Sequence, residues 1–159
     1  MKSPKLLLLI AATLCSGSIA AQESRPTVSM ATAKKMADAC EARARAEGWR
    51  MIIAVVDEGA NLKYFRRMDG AFHGSIRIAQ LKANTAAAFP VSTKQLGEIA
   101  DKQVPGLVHV PGFLMIEGGV PLLTAKGQQI GAIGVSGASA EQDGICAQVA
   151  VDAVKADLK

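Results

Sequence analysis

The chain is poor in aromatic residues, in histidine and in any repeated cysteine motif. With one Trp, one Tyr and four Phe in 159 residues, its core has to be aliphatic, built from Val, Ile, Leu, Ala and Met. Its two histidines, His73 and His109, are far apart, and neither Cys-x-x-Cys nor His-Glu-x-x-His occurs. That excludes a zinc site of the usual spacings and covalent c-type heme, which needs Cys-x-x-Cys-His. No Gly-Lys-Ser/Thr follows a glycine-rich loop, so there is no Walker phosphate site. Arg66-Arg67 is the only adjacent arginine pair. Without a basic run interleaved with aromatics, nucleic acid is not an expected partner.

The N-terminus is a different kind of segment. Lys2 and Lys5 precede an apolar run from Leu6 to Leu14, and small residues from Ser16 to Ala21 follow. Basic start, short apolar stretch and small-residue end form the pattern of a secretory signal peptide. The run is too short to span roughly 30 Å of hydrocarbon. Residues 1–21 are expected to be removed, which leaves residues 22–159 as one domain without a membrane span, periplasmic or secreted. Leu14 before Cys15 argues against a lipid-attachment site. Beyond residue 21 the chain has 16 basic and 14 acidic residues, close to neutral. It also has two cysteines, Cys40 and Cys146. An even count in an oxidising compartment favours a disulfide; two buried free thiols are the alternative.

Hydrophobic periodicity predicts the elements. Ala33, Met36, Ala37, Cys40 and Ala44 make one face of a helix over residues 30–47. Residues 51–56 read as a buried strand and 62–68 as its hairpin partner, joined by an Asp57–Asn61 turn. An alanine-rich helix over 75–88 ends at Pro90. Ser92 with Gln95, and Ser139 with Gln142, have capping-box spacing for helices over 92–101 and 139–157. Residues 113–116, 120–124 and 129–135 read as three strands joined too tightly for helical crossovers. The expected fold is therefore α/β (α+β), with helices packed on a five-stranded antiparallel sheet.

Several short patterns carry possible chemistry. Gly131, Gly134 and Gly137 end a strand just before a helix. There they serve either tight packing or an anion cradle of backbone N–H groups that would include Ser136. Gly134-x-Ser136-x-Ala138 half-matches a nucleophile elbow. Ala138 replaces the last glycine and no His follows Ser136, so a serine hydrolase of that order is rejected. Asp57 and Asp69 are turn formers, and Asp143 suits the first turn of a helix. Arg67, Asp69 and Lys82 are the polar residues that could instead line one pocket.

Taken in order, Ala54 to Gly59, Arg67 to Ala71, Ser75 with Ala79, Lys82, Ala83, Thr85 and Ala86, Pro105-Gly106, Gly118 to Leu122, Gly131 to Ala138, and Gln142-Asp143 resemble the GlcG/HbpS family. The C-terminal domain of PduO-type corrinoid adenosyltransferases is similar. The resemblance implies a profilin-like three-layer α/β/α fold, with the first and last helices on one face, and a homo-oligomer. It implies heme as cofactor, because secreted members and the PduO domain bind it, and links to heme sensing and degradation. Other members accompany glycolate metabolism. The stretch from Asp101 to Phe113 is shorter than in many members, and His73 falls where the family is usually apolar.

Heme held without covalent bonds needs an apolar surface, one or two axial donors, and cations for its propionates. His73, His109, Met68 and Met115 are possible donors, with His73 favoured as the metal ligand. Arg66, Arg67 and Lys82 are possible propionate partners, and Asp69, Gly134, Ser136 and Gly137 complete the expected site. Three readings follow. The first is an exported binding protein for heme or a similar carboxylate-bearing ligand. The second is an enzyme acting on a small organic acid or on heme, with Lys82 or Asp69 as acid or base. The third is a partner module for a sensor or an envelope complex. If the two outer helices share a face, as the resemblance implies, Cys40 and Cys146 can meet and close a loop of about a hundred residues, for which loop entropy gives roughly 4–5 kcal/mol.

Overall fold

The computed structural model describes residues 25–158. Its elements are α1 (Met30–Ala46), β1 (Ile52–Asp57), β2 (Leu62–Arg67), α2 (Gly74–Ala88), α3 (Thr93–Lys102), β3 (Gly119–Leu123), β4 (Gln129–Ser136) and α4 (Ala140–Val154), with 3₁₀ turns at Pro105–His109 and Lys155–Asp157. The sheet is antiparallel with strand order β2-β1-β4-β3.

Strand alternation sorts the core into two unlike halves. Ile53 and Val55 of β1 and Ile133 and Val135 of β4 face α1 and α4, where Met36, Cys40, Cys146 and Ala150 are buried with them. Ile52, Ala54 and Val56, with Ala132, face α2 through Ala79, Ala83 and Ala86. The first face carries branched side chains and the second mostly small ones. That difference explains the alanines of α2. Gly134 pairs across the sheet with Gly119, and a side chain on Gly134 would run into the backbone of Ala79 and Ala83. The helix therefore lies almost directly on the sheet.

Two serine caps set the ends that matter. Ser92 and Ser139 each accept from the backbone three residues on, and Gln95 and Gln142 return the bond. Such a cap is worth about 1 kcal/mol. Cys40 of α1 and Cys146 of α4 form a disulfide with Cα atoms 4.9 Å apart, fully buried.

The expected fifth strand over residues 113–116 is absent among the described residues. The chain there is irregular, because its polar groups go elsewhere. The Leu114 amide donates to Thr85 Oγ1 at 2.8 Å, the Ile116 carbonyl accepts from Thr93 Oγ1 at 2.7 Å, and the Phe113 ring meets Phe89 edge-on at 5.3 Å. Side chains of α2 and α3 thus replace a ladder. The three-strand meander becomes the β3–β4 hairpin. The expected signal peptide lies outside the described residues, and among those residues no helix is long and apolar enough to cross a membrane.

Candidate functional site

Lys82 lies on the buried side of α2, 1% exposed. Its ammonium donates to Asp143 Oδ2 at 2.7 Å and to the Val135 carbonyl at 3.1 Å. Asp143 sits in the first turn of α4, so the pair ties the helix on one face of the sheet to the helix on the other. The chain makes room at Gly118, where a Cβ would lie 2.8 Å from Lys82 Nζ and 2.6 Å from the Val135 carbonyl, and where φ is +128°. Burial pushes the Asp143 carboxyl up, against the opposing pull of Lys82 and of the Ala138 and Gly137 amides. The Ala138 amide donates to Asp143 Oδ1 at 3.1 Å.

That geometry answers the expectation of an anion cradle. Gly137 and Ala138 do present amides to a carboxylate, but the carboxylate is the chain's own Asp143. Gly134 serves helix packing, and Ser136 is buried opposite Ile52. Lys82 is likewise committed to the interior and reaches no surface cleft. A lysine on an otherwise alanine-lined face was the signal for a buried partner, since an unpaired buried charge is too costly to keep.

The other expected residues divide between two surfaces. Asp69 lines a cleft of about 310 Å³ with Arg45, Gly48, Trp49, Arg50 and Met68; neither Arg67 nor Lys82 borders it. Arg67 lies on the opposite side of β2, where it donates to the Ala71 carbonyl at 3.2 Å. That bond sets a guanidinium beside the turn carrying Phe72 and His73. Phe72 is 72% exposed, and His73 is exposed at the start of α2 with no cap bond from its side chain. Arg77 is exposed one turn further on. Sequence reasoning passed over Arg77, although its i, i+4 spacing from His73 was the available signal.

His109 is exposed in the 3₁₀ turn, among the exposed Val104, Val108 and Val110. Met68 is only 8% exposed and its sulfur accepts from the Met51 amide, so it is occupied. Met115 is half-buried. Arg66 is spent on Asp38 and Glu41 of α1, at 2.8 and 2.7 Å. A larger groove of about 520 Å³ has walls from Val91, Val120, Pro121, Leu123, Val151 and Leu158. Nothing in its lining ligates iron well. Phe72 and His73 are both exposed at the start of α2, directly after the Ala71 carbonyl that accepts from Arg67.

A four-stranded antiparallel sheet between helical layers, with its charged pair inside, defines a small α/β domain. The family model described as haem degrading protein HbpS-like matches residues 28–152, and the chain belongs to that family. It is 34% identical to protein GlcG of Escherichia coli K12 over 114 residues, covering 72% of this chain and 84% of GlcG. A crystal structure of a Streptomyces reticuli HbpS double mutant superposes with a TM-score of 0.79 at 31% identity, over 94% of this chain and 97% of that one. The crystal structure of a PduOC:heme complex gives a TM-score of 0.74 at 30% identity, over 80% and 94%.

Proposed function

We propose that this chain is an exported heme-binding protein whose iron ligand is His73. The observation that carries the reading is the exposed His73, next to the exposed Phe72 and two residues beyond the Ala71 carbonyl held by Arg67, in a chain that shares its fold with a protein solved as a heme complex. His73 would supply the ring nitrogen, Phe72 the apolar contact and Arg67 a cation for a propionate. Heme, when bound, contributes a redox-active iron. The chain's own part is to hold and orient it at an open surface.

His73 stands at the N-terminal end of α2, whose first turn has no acidic residue. Binding is read from the Soret band on adding hemin, and its loss in His73→Ala tests the ligand. Export rests on the pattern of residues 1–21 and is tested by N-terminal sequencing of protein from the cell envelope. A mature chain starting at Ala21 or Gln22 supports it, and a cytoplasmic product retaining Met1 contradicts it. Homo-oligomerisation belongs to the same proposal, with the exposed Val104, Val108, Val110 and Ile116 as surface for a second copy.

A further inference from the structure

We infer that Arg77 is the second propionate anchor of this site, so that the site selects porphyrins with free carboxylates. The inference rests on the heme reading above and adds a residue and a ligand specificity to it.

Helix geometry supplies the first part of the argument. Ser75, Ala79, Lys82, Ala83 and Ala86 are the buried side of α2. At 100° per residue the opposite side is His73, Arg77, Gln80 and Asn84. His73 and Arg77 are exposed, whereas Gln80 and Asn84 are half-buried. Further along α2, Thr85 and Phe89 hold the segment at Phe113 and Leu114. The outer face is open over its first turn and a half and again at Ala88, and His73 and Arg77 are the exposed polar residues on it. They lie one above the other, about 6 Å apart along the axis. Ile76 is half-buried and packs against the core between β1 and α2.

Charge accounting supplies the second part. Arg43, Arg45 and Arg66 each face a carboxylate: Glu47 at 3.1 Å, Glu41 at 2.5 Å, and Asp38 with Glu41. Among the described residues, Arg50, Arg67 and Arg77 are shown with no carboxylate, and Arg50 donates to the Asp69 carbonyl. Arg67 uses one N–H on the Ala71 carbonyl and keeps the rest of its five donors. Two guanidiniums without carboxylates thus lie near His73 in the chain: Arg67 beside the Ala71 carbonyl two residues before it, and Arg77 one helical turn after it. Heme carries two carboxylates on one edge of an otherwise apolar disc, and planar guanidinium forks suit carboxylates in bidentate geometry. The neighbouring Arg50, over the cleft at Trp49, belongs to a different surface.

The test titrates the full mature chain with hemin and with hemin dimethyl ester, in the same dilute detergent, following the Soret band. The wild type should bind hemin at least about tenfold more tightly than the ester, since a charge-assisted hydrogen bond contributes about 1.5–3 kcal/mol. Arg77→Gln should lose about tenfold for hemin and change little for the ester, with Arg77→Lys between. Because Arg77 is exposed and makes no ion pair or hydrogen bond among the described residues, circular dichroism of these variants should match the wild type. Equal wild-type affinity for hemin and ester, or an equal loss for both ligands in Arg77→Gln, overturns the propionate role while leaving heme binding standing. If the wild type gives no Soret change with hemin at all, the heme reading falls and takes this inference with it.

Discussion

Asp143→Asn removes one charge of a buried pair and strands the other. In the native chain the Lys82 ammonium has two acceptors, the Asp143 carboxylate and the Val135 carbonyl, and its side chain is 1% exposed against 3% for Asp143. With asparagine the ammonium keeps a neutral acceptor in a site closed to water. Breaking a buried pair on one side costs about 3–5 kcal/mol, which for a domain of this size lowers Tm by roughly 10–20 °C. Lys82→Met should cost less, because the stranded carboxyl keeps the Ala138 and Gly137 amides and can take up a proton. Burial already pushes that carboxyl up, and loss of the lysine raises it further. A carboxyl raised in the folded state favours folding below its unfolded pKa, and that gain is lost as pH rises through the folded value. The deficit of Lys82→Met should therefore shrink on acidification. The double variant Lys82→Met/Asp143→Asn, with no charge left, should lose much less than the sum of the two single losses. Urea unfolding of all four proteins, with the disulfide intact, completes the cycle. Single losses below about 1 kcal/mol, or strict additivity, would refute the reasoning that a committed internal ion pair joins the two helical layers.

The disulfide predicts that the chain from residue 22 onward, denatured without reductant, shows no free thiol and runs as a monomer on non-reducing gels. Its sequence separation of 106 makes Cys40→Ala/Cys146→Ala less stable by about 4–5 kcal/mol in the loop-entropy account, checked by urea midpoints. Two free thiols per chain would count against the bridge. Asp38 is held below the usual carboxylate range chiefly by Lys34 and then Arg66, and Glu41 chiefly by Arg45, with Arg66 adding to it. Carboxyls lowered in the folded state add stability above their unfolded pKa and lose it as pH falls, so Arg66→Met should flatten the loss of stability between pH 5 and pH 3. Light scattering at micromolar concentration should give a mass above one protomer; a monomer mass would remove Val104, Val108, Val110 and Ile116 from consideration as an interface.

Most elements were legible because each had a local signal. The 3.6-residue period marked α1, the serine–glutamine caps marked α3 and α4, and the apolar run of β1 needed no partner to be read. The segment 113–116 misled because its apolar residues resemble a short strand, while the deciding bonds, to Thr85 and Thr93, come from residues more than 20 positions away. The candidate site was half legible. His73 and Arg67 carry donor chemistry that composition exposes in so histidine-poor a chain. Lys82, Gly134, Ser136 and Gly137 carry the same family pattern but are taken up inside the fold, and only packing reveals that Asp143 is the anion that Lys82 and Gly137 meet. Arg77 was hidden for the opposite reason: a solvent-facing arginine is ordinary until the helix start is fixed and its alignment with His73 follows.

The most direct test of the account is an ultraviolet-visible titration of the mature wild-type chain and of His73→Ala with hemin. The account predicts a saturable Soret shift at one heme per chain in the wild type, strongly weakened in His73→Ala with the fold intact. No saturable shift in the wild type, or the same shift and affinity in His73→Ala, would contradict it.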